Sequence, residues 1–586
     1  MMDKNSLYRE AKEISQPNRL WPLYGAGFEN LGQNGQPITV ELPAYGPDEL
    51  LVRHDACGIC FSDIKVINAG EKHPRIFRDM KKEPVVLGHE VALTVVGIGE
   101  KLRDQYKIGD RFIVQADIYS QGVNYAYGYM IQGGMSNYAV LDQRVLNGDD
   151  GNYLLPVQPE TGYAESALVE PWACVIAAYH LQYRTGLKPN GRAWIIGGVG
   201  ARDDYYFSAG LDEHSHPAHL TLTNVPDALA ARLKAAAAKL NIEVVDIPLE
   251  RLLTTPRHIG ESEVDVSALG AGVTPFDDII VLNPTPELIE AASSYLKSFG
   301  IVALMADQPL ARPVQVDMGR IHYNRWTYVG GPGPDMAAAY SAHPVRSELK
   351  AGGKTWLVGA GGPMGQMHTQ RAVQMLEPPT TILCTDLAED RLQALEEILG
   401  AEARGKDINF VTLCVKDADY AQRLAHLAGE GFDDIIGLVP VPAVISDSAQ
   451  YLASGGVMNV FAGVKRGTLV ALDLSPVYLH GSRYIGHTAS TVDDMRLMLH
   501  ETEAGHISTN RSVAAIGSLE AAKEGYEAVR DAKFPGKVVI YPQIKPFPLT
   551  ALPELKDKLP TVFAKLKNGR EWTVEAEQEF LETMLP

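Results

Sequence analysis

The pentapeptide Phe276-Asp-Asp-Ile-Ile280 returns 156 residues later as Phe432–Ile436, and it does not return alone. The same spacing pairs Asp317 with Asp473, Tyr328 with Tyr484 and Gly330 with Gly486. Upstream, AWIIGG from Ala193 parallels TWLVGA from Thr355, with Gly197 and Gly359 now 162 residues apart, so a small indel divides the unit. Chance can supply one five-residue match, but not an ordered series over roughly 130 residues. Both copies must therefore close on one architecture. In each, short apolar strands alternate with Ala/Leu-rich helical patterns, the signature of a parallel α/β sheet. We read tandem α/β domains at 190–335 and 345–500, joined by the Gly/Pro/Ala-rich stretch near Gly330–Gly353.

Around this repeat the texture differs. Residues 1–189 are β-rich, with short apolar runs punctuated by Pro and Gly in ITVELPAYGPDELLVRHDACGIC and VVLGHEVALTVVGIGE. Strand-like sequence returns over 501–545, ending in FPGKVVIYP, and 546–586 reads as a helical tail. The formal net charge of −19, from 53 basic and 72 acidic residues, opposes phosphate backbones and anionic lipid. It excludes a bulk nucleic-acid or membrane binder, though not a local basic pocket. No apolar run approaches the ~18 residues of a membrane span, and MMDKNSLYREAKEI lacks a signal-peptide core. Five cysteines are too few, and odd in number, for a disulfide framework. The expectation is a cytoplasmic protein.

The two copies open unequally. The second has Gly359-Ala-Gly361-Gly362-Pro-Met-Gly365 after a strand and before a helix, where glycines let the backbone approach a pyrophosphate at a helix N-terminus. The following strand, TTILCTD, ends at Asp386, placed to bond an adenosine ribose and to disfavour a 2′-phosphate, which implies NAD. In the first copy, Gly197-Gly198-Val-Gly200 is followed by Arg202-Asp203-Asp204, and Asn224 stands where Asp386 would be. Two carboxylates at a helix N-terminus would satisfy its dipole and repel a pyrophosphate, so this copy reads as degenerate.

Three clusters carry metal-ligand types: Cys57-Gly-Ile-Cys60-Phe-Ser62-Asp63, Gly88-His89-Glu90, and Leu168-Val169-Glu170-Pro171. A catalytic zinc takes three N/S/O protein ligands and leaves one position open. Cys60, His89 and Glu170 would supply thiolate, imidazole and carboxylate. Between the first two clusters, GEKHPRIFRDMKKEP gathers Lys72, His73, Arg75, Arg78, Lys81 and Lys82, a loop able to hold a sugar phosphate or simply to be solvated. The Tyr-rich VNYAYGYM suits the lining of a polyol cleft.

On GICFSD, VVLGHE, IGDRFIVQAD, GGMSNYAV, ALVEPWACVIAAY, FDDII and GKVVIYP, the chain resembles the zinc-dependent medium-chain alcohol dehydrogenases, nearest their polyol and sugar-phosphate branch. The resemblance implies a GroES-like β-rich catalytic domain, split between 1–189 and 501–545, with two Rossmann-type domains of which the first is surplus. It implies Cys60 and His89 as zinc ligands, with Glu170 as the third, direct or through water. Glu90 would exchange onto the metal or support it, Ser62 would pass the substrate proton, and Asp63 would orient a ligand. Ala92 stands where the family usually has Gly. The stretch QADIYSQGVNYAYGYMIQGG lacks the family's four-cysteine lobe, so one catalytic zinc and no structural zinc is expected, with Cys57 structural and Cys174, Cys384 and Cys414 in the core.

The expected activity is hydride transfer between NAD and a secondary hydroxyl of a polyol, sugar or sugar phosphate. Members of the family often dimerise through the edges of their nucleotide-domain sheets, so a homodimer is one arrangement and a tandem copy standing in for the partner is another. Two further readings stay open: an epimerase or racemase using both nucleotide folds, and a non-catalytic protein keeping the fold.

Overall fold

The computed structural model describes residues 4–11, 17–254 and 274–586. The chain forms two compact units, one of 1–177, 362–367 and 489–586, the other of 178–361 and 368–488. No helix among the described residues is long and apolar enough to cross a membrane.

The first unit is built on an eight-stranded sheet whose central strand, Leu50–Gly58, is buried along its whole length. Glu90–Ile98 flanks it antiparallel on one side, and on the other side lies Lys537–Tyr541, the strand of GKVVIYP, with Ile540 opposite Cys57 and Val539 opposite Gly58. The returning C-terminal segment thus lies against the GIC motif. Val513–Ser518 follows, and then the two-residue strand Thr550–Ala551. The 546–586 region is therefore helical only after it has added a strand. Its last helix, Val574–Met584, buries Phe580 and Leu581 in a cluster with Tyr163, Ala167 and Trp572, and the buried Glu577 accepts from the backbone N–H of Tyr163 and of Ala164. The helix Val492–Glu503 packs on Val169–Ala177 in this same unit. From sequence it reads as the last helix of the second α/β copy, because an amphipathic helix after a final strand looks alike whichever core its apolar face joins.

The second unit holds two six-stranded parallel sheets of identical strand order. One runs Glu243–Asp246, His219–Thr223, Arg192–Gly197, Phe276–Leu282, Leu296–Met305, Thr327–Gly331. The other runs Asn409–Cys414, Thr381–Asp386, Lys354–Val358, Phe432–Gly437, Leu452–Val460, Arg483–Gly486. Each is the doubly wound order 3-2-1-4-5-6, whose ligand crevice lies at the C-terminal ends of strands one and four.

Side chains repeat with the sheets. Trp194 and Trp356 each donate Nε1–H to a threonine hydroxyl, Thr223 and Thr385, at 2.9 Å. Each stacks on the phenylalanine of FDDII and on a tyrosine, Phe276 and Tyr295 in one copy, Phe432 and Tyr451 in the other. The acid pair of the motif clamps the chain entering the first strand. Lys188 Nζ lies 2.6 Å from Asp277 and Lys350 Nζ 2.6 Å from Asp433, while Arg184 and Arg346 pair with Asp278 and Asp434. The repeat therefore begins earlier than AWIIGG, at RTGLK and RSELK.

The copies meet about a local two-fold axis. Val314–Asp317 pairs antiparallel with Leu469–Leu472, Val314 opposite Leu472 and Val316 opposite Val470, with Gln315 facing Ala471 at the centre. The spacing of 156 makes Gln315 and Ala471 equivalent, so each strand pairs with its own repeat, as identical subunits do across an isologous interface. Tyr478 donates to the Gln308 carbonyl and the Leu310 N–H to Ser475, and one apolar cluster runs through both copies from Trp194 to Tyr484.

One expectation fails. The connection from Arg192–Gly197 to His219–Thr223 contains no helix, whereas its counterpart carries Pro363–Gln374. Asp203 and Asp204 do not cap a helix N-terminus; Arg202 pairs with Asp204 in a loop. The sheet face at this end is covered instead by Tyr205 and by Met336, Ala339 and Tyr340 of the inter-copy stretch, where the Tyr206 N–H donates to Pro334 and the Met336 N–H to Tyr206. With those apolar residues already seated, a first helix has no buried face left to cover.

Candidate active site

Cys60 is the N-cap of the helix Phe61–Ala69, its backbone carbonyl accepting the Asp63 N–H at 3.2 Å. Asp63 answers with Oδ2, which accepts the Cys60 N–H at 3.0 Å, and turns Oδ1 to within 3.2 Å of His89 Nδ1. One buried carboxylate thus orients both residues. With Nδ1 held by Asp63, His89 presents Nε2 outward, and Ser62 Oγ lies 3.3 Å from it. Burial alone would push the His89 imidazolium down, but Asp63 and Cys60 more than offset it, and its pKa stands well above the ordinary value.

His89 sits between Gly88, whose φ of +99° a side chain would strain, and the strand Glu90–Ile98. A Cβ at Gly88 would also meet the Cys57 sulfur at 2.6 Å, which makes Cys57 packing beneath the His89 turn. A Cβ at Gly58 would come within 2.1 Å of Glu90 Oε2, so the glycine of the GIC motif leaves room for that carboxylate. Ala92 is buried opposite Ala56 and causes no distortion of the pairing beyond a bulge between His54 and Ala56.

The donor atoms of Cys60, His89 and Glu90 lie within 4.8 Å of one another. Sulfur, imidazole nitrogen and carboxylate oxygen are a zinc donor set, and Glu90 Oε2 is buried without a hydrogen-bond partner. The residues present fit the metal. Glu170, expected as third ligand directly or through water, is not among the three residues whose donor atoms lie that close. It lies in the first turn of Val169–Ala177, where burial pushes its carboxyl up to about 7, with His89 opposing and Glu90 adding. The reason is positional: Glu90 follows His89 directly into the space Gly58 leaves open, whereas a helix carries Glu170. Cys174, one turn further, is only half-buried, and its burial, Glu170 and Cys60 all raise its thiol, so it borders the site and not the apolar core.

Sequence reasoning missed Lys537. Its buried Nζ donates to Glu90 Oε1 at 2.5 Å and to the Ile59 carbonyl at 2.9 Å. Burial lowers its pKa, but Glu90, Cys60 and Glu170 together hold it above the ordinary lysine value. The signal was a lysine opening an otherwise apolar strand in GKVVIYP. Lys537→Met leaves the Glu90 carboxylate buried and unpaired and is expected to destabilise the metal-free protein by about 3–5 kcal/mol. Denaturant unfolding with and without zinc checks this, and zinc should recover part of the loss.

In the nucleotide fold, Gly359 takes φ +87° at the end of Lys354–Val358, and Pro363–Gln374 follows the glycines. Asp386 Oδ2 accepts the Gly361 N–H at 2.9 Å and Oδ1 the Ala388 N–H at 3.0 Å. Beside it opens a cavity of about 450 Å³ lined by Trp356, Thr385, Leu387, Tyr420 and Tyr451, an apolar slot at the strand ends that suits an adenine ring. Glu389, Asp390 and Asp417 edge an adjoining hollow.

Comparison with known proteins agrees with this chemistry. Residues 46–147 match the alcohol dehydrogenase GroES-like domain, and 363–504 match the zinc-binding dehydrogenase family. The stretch 148–362, with the first nucleotide fold, lies outside both. Mannitol-1-phosphate 5-dehydrogenase of Aliivibrio fischeri is 24% identical over 351 residues, spanning 56% of this chain and 79% of that protein. L-sorbose 1-phosphate reductase of Klebsiella pneumoniae is 29% identical, spanning 55% and 79%. Among solved structures, 2R,3R-butanediol dehydrogenase from Bacillus subtilis aligns over 90% of this chain and 99% of its own, with 16% identity and a TM-score of 0.49. With the zinc donor set and the doubly wound sheets beside them, these matches give the chain an alcohol dehydrogenase GroES-like domain and a zinc-binding dehydrogenase domain, resembling the polyol and sugar-phosphate dehydrogenases.

Proposed function

We propose that this protein moves a hydride between NAD and a secondary hydroxyl carbon of a polyol, sugar or sugar phosphate, with one zinc held by Cys60, His89 and a carboxylate. The observation that carries the reading is Asp63, which fixes Cys60 and His89 at once beside Glu90. When bound, zinc supplies Lewis acidity to a substrate hydroxyl or carbonyl oxygen. The chain supplies the rest. Asp63 sets its carboxylate 3.2 Å from His89 Nδ1, and Ser62 offers a hydroxyl within reach of His89 Nε2 to pass the substrate proton outward. Lys537 holds Glu90 in place through Oε1 while Glu90 Oε2 stays unpartnered. Glu170, with its carboxyl near 7, is suited to hold or release a proton at the site around neutral pH. The polyol and sugar-phosphate dehydrogenases among its relatives support the substrate class, and five free cysteines suit the cytoplasm.

For the cofactor, Asp386 lines the apolar slot, and the adjoining hollow carries Glu389, Asp390 and Asp417 with one base, Lys416, a predominantly acidic setting that favours a ribose hydroxyl over a 2′-phosphate. Asp386→Ser is expected to raise KM for NAD about tenfold or more and to narrow the preference over NADP; paired kinetics with the two cofactors measures both. The first copy lacks the first helix that would cradle a phosphate, which favours the dehydrogenase reading over the epimerase one. The direct experiment follows NADH formation across a polyol panel with zinc present and after chelation. Turnover that survives metal removal would overturn the reading.

A further inference from the structure

The basic loop resolves residue by residue. Lys82 faces Asp79, and Arg78 donates to the Met130 carbonyl, so neither is turned toward the site. His73 and Arg75 are different. The His73 ring lies 5.5 Å from the ring of Tyr129, and Tyr129 lies 6.0 Å from the ring of His89. His73 is therefore two ring contacts from a zinc ligand. Tyr129 is buried, and burial pushes its hydroxyl up to about 12, with His89 and a hydrogen bond involving Ser62 pulling the other way. That aromatic forms a wall between the metal site and the loop.

Among the described residues Arg75 has a single side-chain partner. Nη1 donates to Asp117 Oδ1 at 2.5 Å, Asp117 is itself held by Asn124 Nδ2, and the side chain is 42% exposed. The remaining guanidinium donors stay free for a ligand, in the planar fork that matches a phosphate or carboxylate. His73 bonds back to the Arg75 N–H through Nδ1. Lys65, on the helix that begins at Cys60, is exposed and forms no ion pair among the described residues. Burial, then Arg75 and Lys65, push the His73 imidazole below its ordinary value, so His73 serves as a neutral donor. In a chain of net charge −19, two cations, Arg75 and Lys65, beside a neutral imidazole donor and with one carboxylate, Asp117, are a local reversal that an anion would relieve.

We infer that Arg75, His73 and Lys65 form a specificity subsite that receives the phosphate monoester of the substrate, with Tyr129 as the apolar wall between that phosphate and the reacting carbon. This rests on the proposed polyol chemistry and narrows its substrate to the phosphorylated form. A dianionic ester suits the cluster better than a carboxylate, because it offers an oxygen to the Arg75 fork and others to His73 and Lys65 together.

The test titrates the zinc-loaded protein calorimetrically with sorbitol 6-phosphate, with sorbitol and with inorganic phosphate, beside turnover on the two polyols. The phosphate ester is expected to bind and turn over with at least about tenfold advantage over sorbitol. Arg75→Met and the double variant Lys65→Met/His73→Asn should each erase about tenfold of that advantage, while Lys82→Met in the same loop should not. Because Arg75→Met strands Asp117, the double variant is the decisive one. Equal binding of ester and free polyol, inorganic phosphate binding without ester preference, or an advantage indifferent to both variants would each overturn the subsite. Ester binding that depends on these residues without any NADH formation would support the subsite and sink the hydride-transfer reading instead.

Discussion

Cys60→Ser is expected to abolish zinc retention and to lower kcat by at least about a thousandfold, while leaving the fold nearly unchanged. The separation follows from the two roles of Cys60. As N-cap it accepts the Asp63 N–H through its backbone carbonyl, which a serine retains unchanged. As metal donor it supplies a thiolate in a set whose other members are imidazole and carboxylate, and a hydroxyl does not replace it. His89→Ala should match it in zinc loss, but also strands the Asp63 carboxylate, buried with its Oδ1 facing the vacated ring, and so should cost stability as well. Metal analysis, kinetics and thermal unfolding of the two variants side by side measure the difference. Glu90→Gln and Glu170→Gln sort the carboxylates. The geometry expects the larger zinc loss from Glu90, which shares the 4.8 Å group, and a shift in the pH profile near neutrality from Glu170.

Val316→Asp is expected to destabilise both nucleotide folds together by more than about 4 kcal/mol, the range of an unpaired charge placed in a core. Val316 is buried opposite Val470 in the strand pair where the copies meet, and the apolar cluster behind it runs into both. If the copies were independent domains on a string, the lesion would melt the first and spare the second. The shared core predicts one cooperative loss, followed in unfolding experiments by the fluorescence of Trp194 and Trp356, which sit at equivalent places in the two sheets. Val470→Asp, at its partner across the strand pair, should behave alike. This gives the duplicated domain a structural task that needs no nucleotide: it covers the sheet edge of its own sibling.

Much of this was legible in the residues, for identifiable reasons. FDDII marks a strand whose acids clamp the entry to the neighbouring strand, so a repeat of the motif forces a repeat of the topology. Cys60, Asp63 and His89 were legible because a helix start and a glycine turn are local features, and Asp63 three residues after Cys60 is a capping geometry. What sequence hid was tertiary. Glu90 and Glu170 both neighbour the site, and only the vacancy at Gly58 decides which carboxylate stands with Cys60 and His89. Lys537 comes from a strand 447 residues beyond its partner. The lost helix of the first copy was concealed because GGVG still reads as a glycine turn, and its replacement by Tyr205, Met336 and Tyr340 comes from a stretch that composition marks only as a linker. Likewise Val492–Glu503 has a clear apolar face, but nothing local says that it packs on Val169–Ala177.

The central claim is that one zinc site and one working nucleotide fold serve a chain that carries two such folds. Native mass spectrometry of the intact protein, titrated with zinc and NAD, counts both directly. One zinc and one NAD per chain is the predicted result, with the zinc lost in Cys60→Ser and the NAD weakened in Asp386→Ser. Two nucleotides per chain would contradict it, because the loop after Gly197 would then be binding a pyrophosphate without the helix that the second copy uses.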